Sequence, residues 1–186
     1  ARYLILHPRF VIRYDYQRMF NNIEVWTVSD YAGCLEARYS TSGGLVFLGK
    51  HIIKTWSVTQ MWLALSSGEA EYYGLVKGAS NALGIVGMLS DLGIEFRINL
   101  YTDSSAAKGI ASRRGVGKVR HIELCELWLQ DHVARGRIVV HKVPGQENIS
   151  DSLTKHSSID RLSQTMHGTA HEYKSGRHDI MPTLSA

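Results

Sequence analysis

The period of the hydrophobic pattern changes along this chain, and that change limits the folds open to it. Residues 23–29 alternate, with Ile23, Val25 and Thr27 set against Glu24, Trp26 and Val28, the period of two expected of a strand. "GGLVFLG" and "HIIKTWSV" are two further strand segments, joined by a turn at Gly49 and Lys50. From about Gly68 to Asp91 the period becomes helical: Tyr72, Leu75, Ala79, Ala82, Val86 and Leu89 recur by threes and fours as one apolar stripe. "FRINLYTD" returns to a strand, "SSAAKGIAS" is a short helix and "RRGVGK" a basic loop. "VRHIELCELWLQDHVARG" has the pattern of an amphipathic helix closed by Gly136, and "RIVVHKV" that of a last strand. Pro144 and Gly145 then turn the chain, and a helix is expected to begin near Glu147. Three strands followed by alternating helices and strands predict an α/β protein with a mixed sheet covered by helices. Beyond about Ser157 no core pattern is evident, and a surface helix followed by an extended tail is expected.

At 186 residues, 44% hydrophobic and 20% charged, the chain fits one globular domain with a real core. No apolar run approaches the roughly 20 residues of a membrane span. The first residue is alanine and no signal-peptide pattern follows, which fits a piece cut from a longer, intracellular chain. Cys34 and Cys125 make no disulfide framework and point the same way. The net charge of +4 is compatible with a polyanionic partner without naming one.

Four carboxylates stand at positions where such a fold gathers ligands. Asp30 ends the first of these strands in "VWTVSDYAG", Asp103 ends "INLYTD", and Asp151 lies in "GQENISDSL". Glu69 and Glu71 open the long helix in "LSSGEAEYYGL" and point to nearly opposite sides of it. Glu71 lies one turn before Leu75, at the edge of the apolar stripe, so it is aimed at the sheet. Glu69 falls outside the stripe and suits the positive helix N-terminus. Singly, each of the other three has an ordinary role: Asp30 in a turn, Asp103 as an N-cap, Asp151 as a complement to a helix dipole. Together they would repel one another unless cations sat among them, and hard oxygen ligands suit Mg²⁺.

"YSTSGGLVFLG", "ALSSGEAEYYGL", "YTDSSAAKGI", "GKVRHIEL" and "VPGQENISDSLTK", in that order and spacing, resemble the ribonuclease H domain of copia-type retrotransposon Pol polyproteins. The resemblance covers roughly residues 23–156. It makes residues 1–22 the end of a segment leading from a reverse-transcriptase-like region, and 157–186 a C-terminal extension. It implies a ribonuclease H-like fold, a five-stranded mixed sheet flanked by helices. It also implies hydrolysis of the RNA strand of RNA–DNA hybrids with two Mg²⁺ ions, for which Mn²⁺ can substitute. The implied partners are the hybrid itself and a reverse transcriptase region of the same polyprotein or a larger assembly. The implied catalytic and metal-binding residues are Asp30, Glu71, Asp103 and Asp151.

One of these departs from the pattern. The family reads Asp-x-Asp-aromatic-Ala-Gly at the first strand, and here Val28-Ser29-Asp30-Tyr31-Ala32-Gly33 stands in that register. Val28 occupies the place of the first ligand, and only Asp30 remains to replace it, about 6.5 Å further along the strand. The competing reading is therefore a catalytically degenerate domain kept as a nucleic-acid-binding or structural subunit.

Arg113, Arg114, Lys118 and Arg120, with His121, form a basic stretch suited to the phosphate backbone of a hybrid. Trp56, Trp62, Tyr72 and Tyr73 could stack on bases, although core packing explains most of them equally well. His121 and Cys125 lack a second ligand pair for zinc, and Asn148-Ile149-Ser150 matches the glycosylation pattern only incidentally.

Overall fold

The computed structural model of the chain describes residues 9–18, 20–117, 122, 124–155, 157–176, 178 and 180. Five strands form one mixed sheet in the order β4-β3-β2-β5-β6. These are β2 (Asn22–Ser29), β3 (Thr41–Leu48), β4 (His51–Thr59), β5 (Arg97–Thr102) and β6 (Ile138–Lys142). β2, β3 and β4 pair antiparallel, whereas β5 runs parallel to β2 and β6 parallel to β5. The parallel pairs require crossovers. The long helix α1 (Ser67–Asp91) makes the first, and α2 (Ser105–Ser112) with α3 (Trp128–Ala134) makes the second.

The alternation in β2 sorts its side chains between two layers. Ile23 and Val25 join Val46, Tyr72, Leu75, Ala79, Ile98 and Leu100 in the main core beneath α1. Gly78 lets that helix approach, since a Cβ there would lie 2.6 Å from Thr27 Cγ2. On the other face Leu45, Phe47 and Ile52 form a smaller cluster with Trp26, Ile149 and Leu153. Gly43 admits the covering segment there: its Cβ would meet Leu153 Cβ at 2.8 Å and Thr154 Cγ2 at 2.9 Å.

Three expectations need correction. The amphipathic pattern closed by Gly136 yields only a 3₁₀ turn at Leu124–Glu126 and the short α3; part of its first half lies outside the described residues. The helix expected near Glu147 is replaced by two 3₁₀ turns, Gly145–Glu147 and Asp151–Leu153, and α4 begins only at Ile159 (Ile159–Gly168). The third concerns Glu69. It is 1% exposed, because the loop before α1 folds back so that Leu65 N–H and the Tyr73 hydroxyl both donate to its carboxylate.

Beyond the main sheet, β1 (Arg9–Ile12) and β7 (His171–Lys174) pair antiparallel in a second, two-stranded sheet. Phe10 packs there against the His171 ring, with centroids 4.5 Å apart. Among the described residues, no helix is long and apolar enough to cross a membrane.

Candidate carboxylate site at the end of the central strands

Glu71 lies in the first turns of α1, whose N-cap Ser66 accepts from Glu69 N–H. Its side chain reaches the end of β2, where Ser29 N–H donates to Oε1 at 3.0 Å. The other oxygen, Oε2, is buried with no hydrogen-bond partner. Burial pushes the Glu71 carboxyl up to about 8, against the Ser29 bond, which favours the charged form. Asp103 and Asp151 raise it further, and the Lys155 ammonium lowers it. These influences gather Glu71, Asp103, Asp151 and Lys155 in one neighbourhood.

Asp103 follows β5 directly, with Gly145 packed on its carboxylate: a Cβ at Gly145 would lie 3.3 Å from Asp103 Oδ2. The capping role considered for Asp103 belongs to Ser104, whose hydroxyl accepts from Ala107 N–H. Asp151 sits in a 3₁₀ turn held by two anchors. Asn148, wholly buried, donates from Nδ2 to Thr27 O at 2.9 Å and accepts from Ser150 N–H and Oγ–H. Arg161 donates to the carbonyls of Gly145 and Gln146. The sequence singled out Asn148 only as a glycosylation match, and its burial leaves no room for a glycan. Asp151 itself is ion-paired with Lys155 at 2.7 Å and with Arg161 at 3.5 Å.

Asp30 is held elsewhere. Its carboxylate accepts from Thr41 N–H across the mouth of the β2–β3 connection, while its own N–H donates to Thr41 O. The carboxylate also fills the turn it caps, because a Cβ at Gly33 would lie 2.0 Å from Oδ2. Asp30 is absent from the charges acting on Glu71. Val28, 2% exposed, lies beside Gly43 in the register and two residues beyond the Trp26–Tyr101 pair, level with Asp103. Val28 thus sets an isopropyl group at the register position where the resemblance implies the first acidic ligand.

The charges of Asp103 and Asp151 thus act on Glu71, and that of Asp30, held by Thr41, does not. Among the described residues no three His, Cys, Asp or Glu side chains are grouped so as to hold a metal ion. The donor set does not fit two Mg²⁺ ions. Val28 offers no oxygen at the end of β2, burial pushes the Glu71 carboxyl up, and Asp151 is already paired with Lys155 and Arg161.

A buried glutamine ties the ends of these elements together. Gln60 Nε2 lies within 2.9 Å of Ser29 Oγ, Ser42 Oγ and Ala70 O, linking the strand ends to the start of α1. No spacing in the sequence pointed to it, although a lone glutamine closing an apolar strand was a visible oddity. In the basic stretch, Arg113 turns inward and donates to Val116 O at 2.5 Å, and Arg114 is exposed. Lys118, Arg120 and His121 lie outside the described residues. Trp56, Tyr72 and Tyr73 are core residues, and Trp62 is 38% exposed.

No protein-family model matches the chain. It is 28% identical over 137 residues to the retrovirus-related Pol polyprotein from transposon RE2 of Arabidopsis thaliana, covering 72% of this chain and 9% of the relative. The corresponding polyprotein from transposon TNT 1-94 of Nicotiana tabacum is 28% identical over 132 residues, 70% of this chain and 10% of the relative. The chain thus spans about a tenth of the length of these curated relatives. Among solved structures it resembles the N-terminal RNase H domain of rv2228c from Mycobacterium tuberculosis. The TM-score is 0.51 at 18% identity, over 81% of this chain and 100% of that one. LC11-RNase H1, isolated from compost, gives a TM-score of 0.51 at 18% identity, over 77% of this chain and 99% of that one. The homologues are transposon Pol polyproteins, as the copia-type motifs implied, and the fold is that of ribonuclease H.

Proposed function

We propose that this chain is a ribonuclease H-type module that engages RNA–DNA hybrids within a retrotransposon Pol lineage and whose hydrolytic centre is degenerate. The observation that carries this reading is Val28, a buried apolar side chain level with Asp103 where a metal-bridging oxygen belongs. A carboxylate that bridges two ions tolerates little displacement, and about 1 Å of misplacement already costs on the order of 100-fold in rate. Asp30 is further off than that and is committed to Thr41. Support for a nucleic-acid partner comes from the homologues' polyprotein context, the net charge of +4 and the exposed Arg114.

A second reading, an active two-metal hybrid nuclease, is favoured by one observation. Glu71 keeps a buried, unpartnered oxygen beside Asp103 and Asp151, as a cation site would. Here Asp30 would leave Thr41 and serve as the strand ligand.

The test compares the parent with Val28→Asp and Asp30→Asn for hybrid binding, hybrid cleavage and thermal stability, each with EDTA, Mg²⁺ or Mn²⁺. On the degenerate reading the parent binds the hybrid without cutting it and gains no stability from either ion. Val28→Asp is destabilised in EDTA, recovers when metal is added, and cleaves. Cleavage by the parent that disappears in Asp30→Asn would replace that reading with the second one. A parent that binds no hybrid would remove both.

A further inference from the structure

We propose that a second cavity, on the sheet face away from α1, binds a nucleotide, either free or as one unit of a single strand. The cavity measures about 670 Å³ and lies between residues 13–18 with Phe20, the first half of β2 and the end of α4. Glu24 and Trp26 on β2 line it. Glu24 is five residues, or about 16 Å, from Ser29 and the carboxylate site. Its Glu24 end thus lies away from the carboxylate site, while Ile149, two residues before Asp151, lines its nearer side.

Its floor is aromatic and fixed. The Trp26 indole stacks on the Tyr101 ring at 4.5 Å and 12°, and Tyr101 stacks in turn on His141 at 5.0 Å. Phe47 and Ile149 continue the apolar surface. The Trp26 indole, held by Tyr101 and by packing against the cluster of Leu45, Phe47 and Ile52, loses little freedom when a flat base packs against the part of it that lines the cavity.

The rim carries cations with no carboxylate partner. Arg18 and Lys50 both line the cavity, are exposed, and form no ion pair among the described residues. Arg13, by contrast, is occupied by Asp15 at 2.9 Å and Glu172 at 3.0 Å. His51 and His167 add ring nitrogens, and Glu24 is the one lining carboxylate outside the Arg13 pair. A ligand with a flat aromatic part, an exocyclic donor for Glu24 and a phosphate for Arg18 and Lys50 matches this lining.

The walls are built for rigidity. Gln17 clips the N-terminal segment to the β3–β4 turn: it donates to Leu48 O at 2.7 Å, accepts from Lys50 N–H at 2.9 Å and contacts His51 Nδ1 at 2.9 Å. The Tyr14 hydroxyl adds a bond to Ile52 O. Gly49, at φ +61°, makes room for Phe20, since a Cβ there would lie 2.3 Å from the ring. A loop anchored by these directed bonds holds the backbone that carries Arg18 and Lys50, which lowers the ordering cost of binding.

The test titrates a fluorescein-labelled short oligothymidylate with the 186-residue chain in EDTA, with unlabelled oligomer and thymidine 5′-monophosphate as competitors. The parent is expected to bind saturably. Arg18→Glu with Lys50→Glu, on exposed side chains that spare the core, should weaken binding about tenfold or more. Arg135→Glu with Arg137→Glu, exposed and outside the cavity lining, should change it less than about twofold. Trp26→Leu, if it folds, should weaken binding without altering the salt dependence, whereas the Arg18/Lys50 variant should flatten it. Competition by the monophosphate supports a free nucleotide as ligand, and competition by the oligomer alone supports a strand. Unsaturable binding by the parent, parental affinity in the Arg18/Lys50 variant, or an equal loss in the Arg135/Arg137 variant would overturn the proposal.

Discussion

The two faces of the central sheet are covered by different means. Toward α1 the cover is apolar and regular: Tyr72, Leu75, Ala79 and Ala82, all fully buried, press on Ile23, Val25, Ile98 and Leu100. The opposite face carries the smaller cluster around Leu45, Phe47 and Ile52, closed by a segment of 3₁₀ turns. That segment is fastened by polar bonds, chiefly Asn148 to Thr27 O and Arg161 to successive carbonyls. One cover rests on area removed from water, the other on a few directed bonds. The carboxylate site lies where they meet, with Glu71 from the first and Asp151 from the second.

The sharpest way to break this contrast is to delete one element of each cover. Leu75→Ala removes a wholly buried side chain under α1 and should cost about 3 kcal/mol, from lost burial and the cavity left behind. Asn148→Ala removes one amide, orphans the buried Thr27 carbonyl and should cost about 2 kcal/mol. Urea unfolding with tryptophan fluorescence measures both. Hydrogen exchange separates them further: Asn148→Ala should loosen residues 145–155 and leave α1 protected. Uniform loss of protection in both variants would mean that the two covers unfold as one unit and the distinction carries no energetic meaning.

Glu71 offers the next largest effect, because it carries a polar group into the apolar cover. Its carboxyl is raised from 4.5 to about 8, first by burial. Below pH 4.5 it is neutral in both the folded and the unfolded chain. Between those values the unfolded chain releases the proton and the folded chain keeps it, so stability falls as pH rises, levelling off above about 8. Glu71→Gln keeps an acceptor for Ser29 N–H and removes the titration. In EDTA the variant should gain a few kcal/mol on the parent between pH 4.5 and pH 8.5. Parallel pH profiles for variant and parent would show that Glu71 is not a desolvated carboxyl.

The same contrast explains what could be read in the sequence. Strand alternation and the helical stripe are records of apolar burial, so β2, β5, α1 and the inward aim of Glu71 were legible. Glu69 was not, because its partners come from a loop that folds back, and hydroxyl and backbone donors leave no periodic trace. Asp151 was expected in a helix because "GQENISDSL" has good N-terminal helix chemistry. A buried amide and an arginine from α4 hold that stretch in turns instead. The alternatives for Asp30 stayed open in the sequence because its partner, Thr41 N–H, lies eleven residues on and pairs only once the hairpin closes. Val28 stood out only through the resemblance, whose pattern has an aspartate in that register.

The smallest expected effect is also the most discriminating for the polar cover. Lys155 is 60% exposed and pairs with Asp151 at 2.7 Å, the shortest ion pair in the described site. Exposed pairs of this kind contribute about 0–1 kcal/mol, because the ammonium exchanges one partner for water and ordering its stem costs entropy. Lys155→Ala should therefore move the urea midpoint very little, with Arg161 still facing Asp151 at 3.5 Å. Its effect should appear instead in Glu71, whose carboxyl the ammonium holds down, so that the pH at which stability levels off moves upward. If Lys155→Ala instead destabilised the chain as much as Asn148→Ala, the closing segment would be held by charge rather than by the buried amide. The strap would then loosen with salt, and the carboxylate site would depend on an exposed cation instead of on the strand it borders.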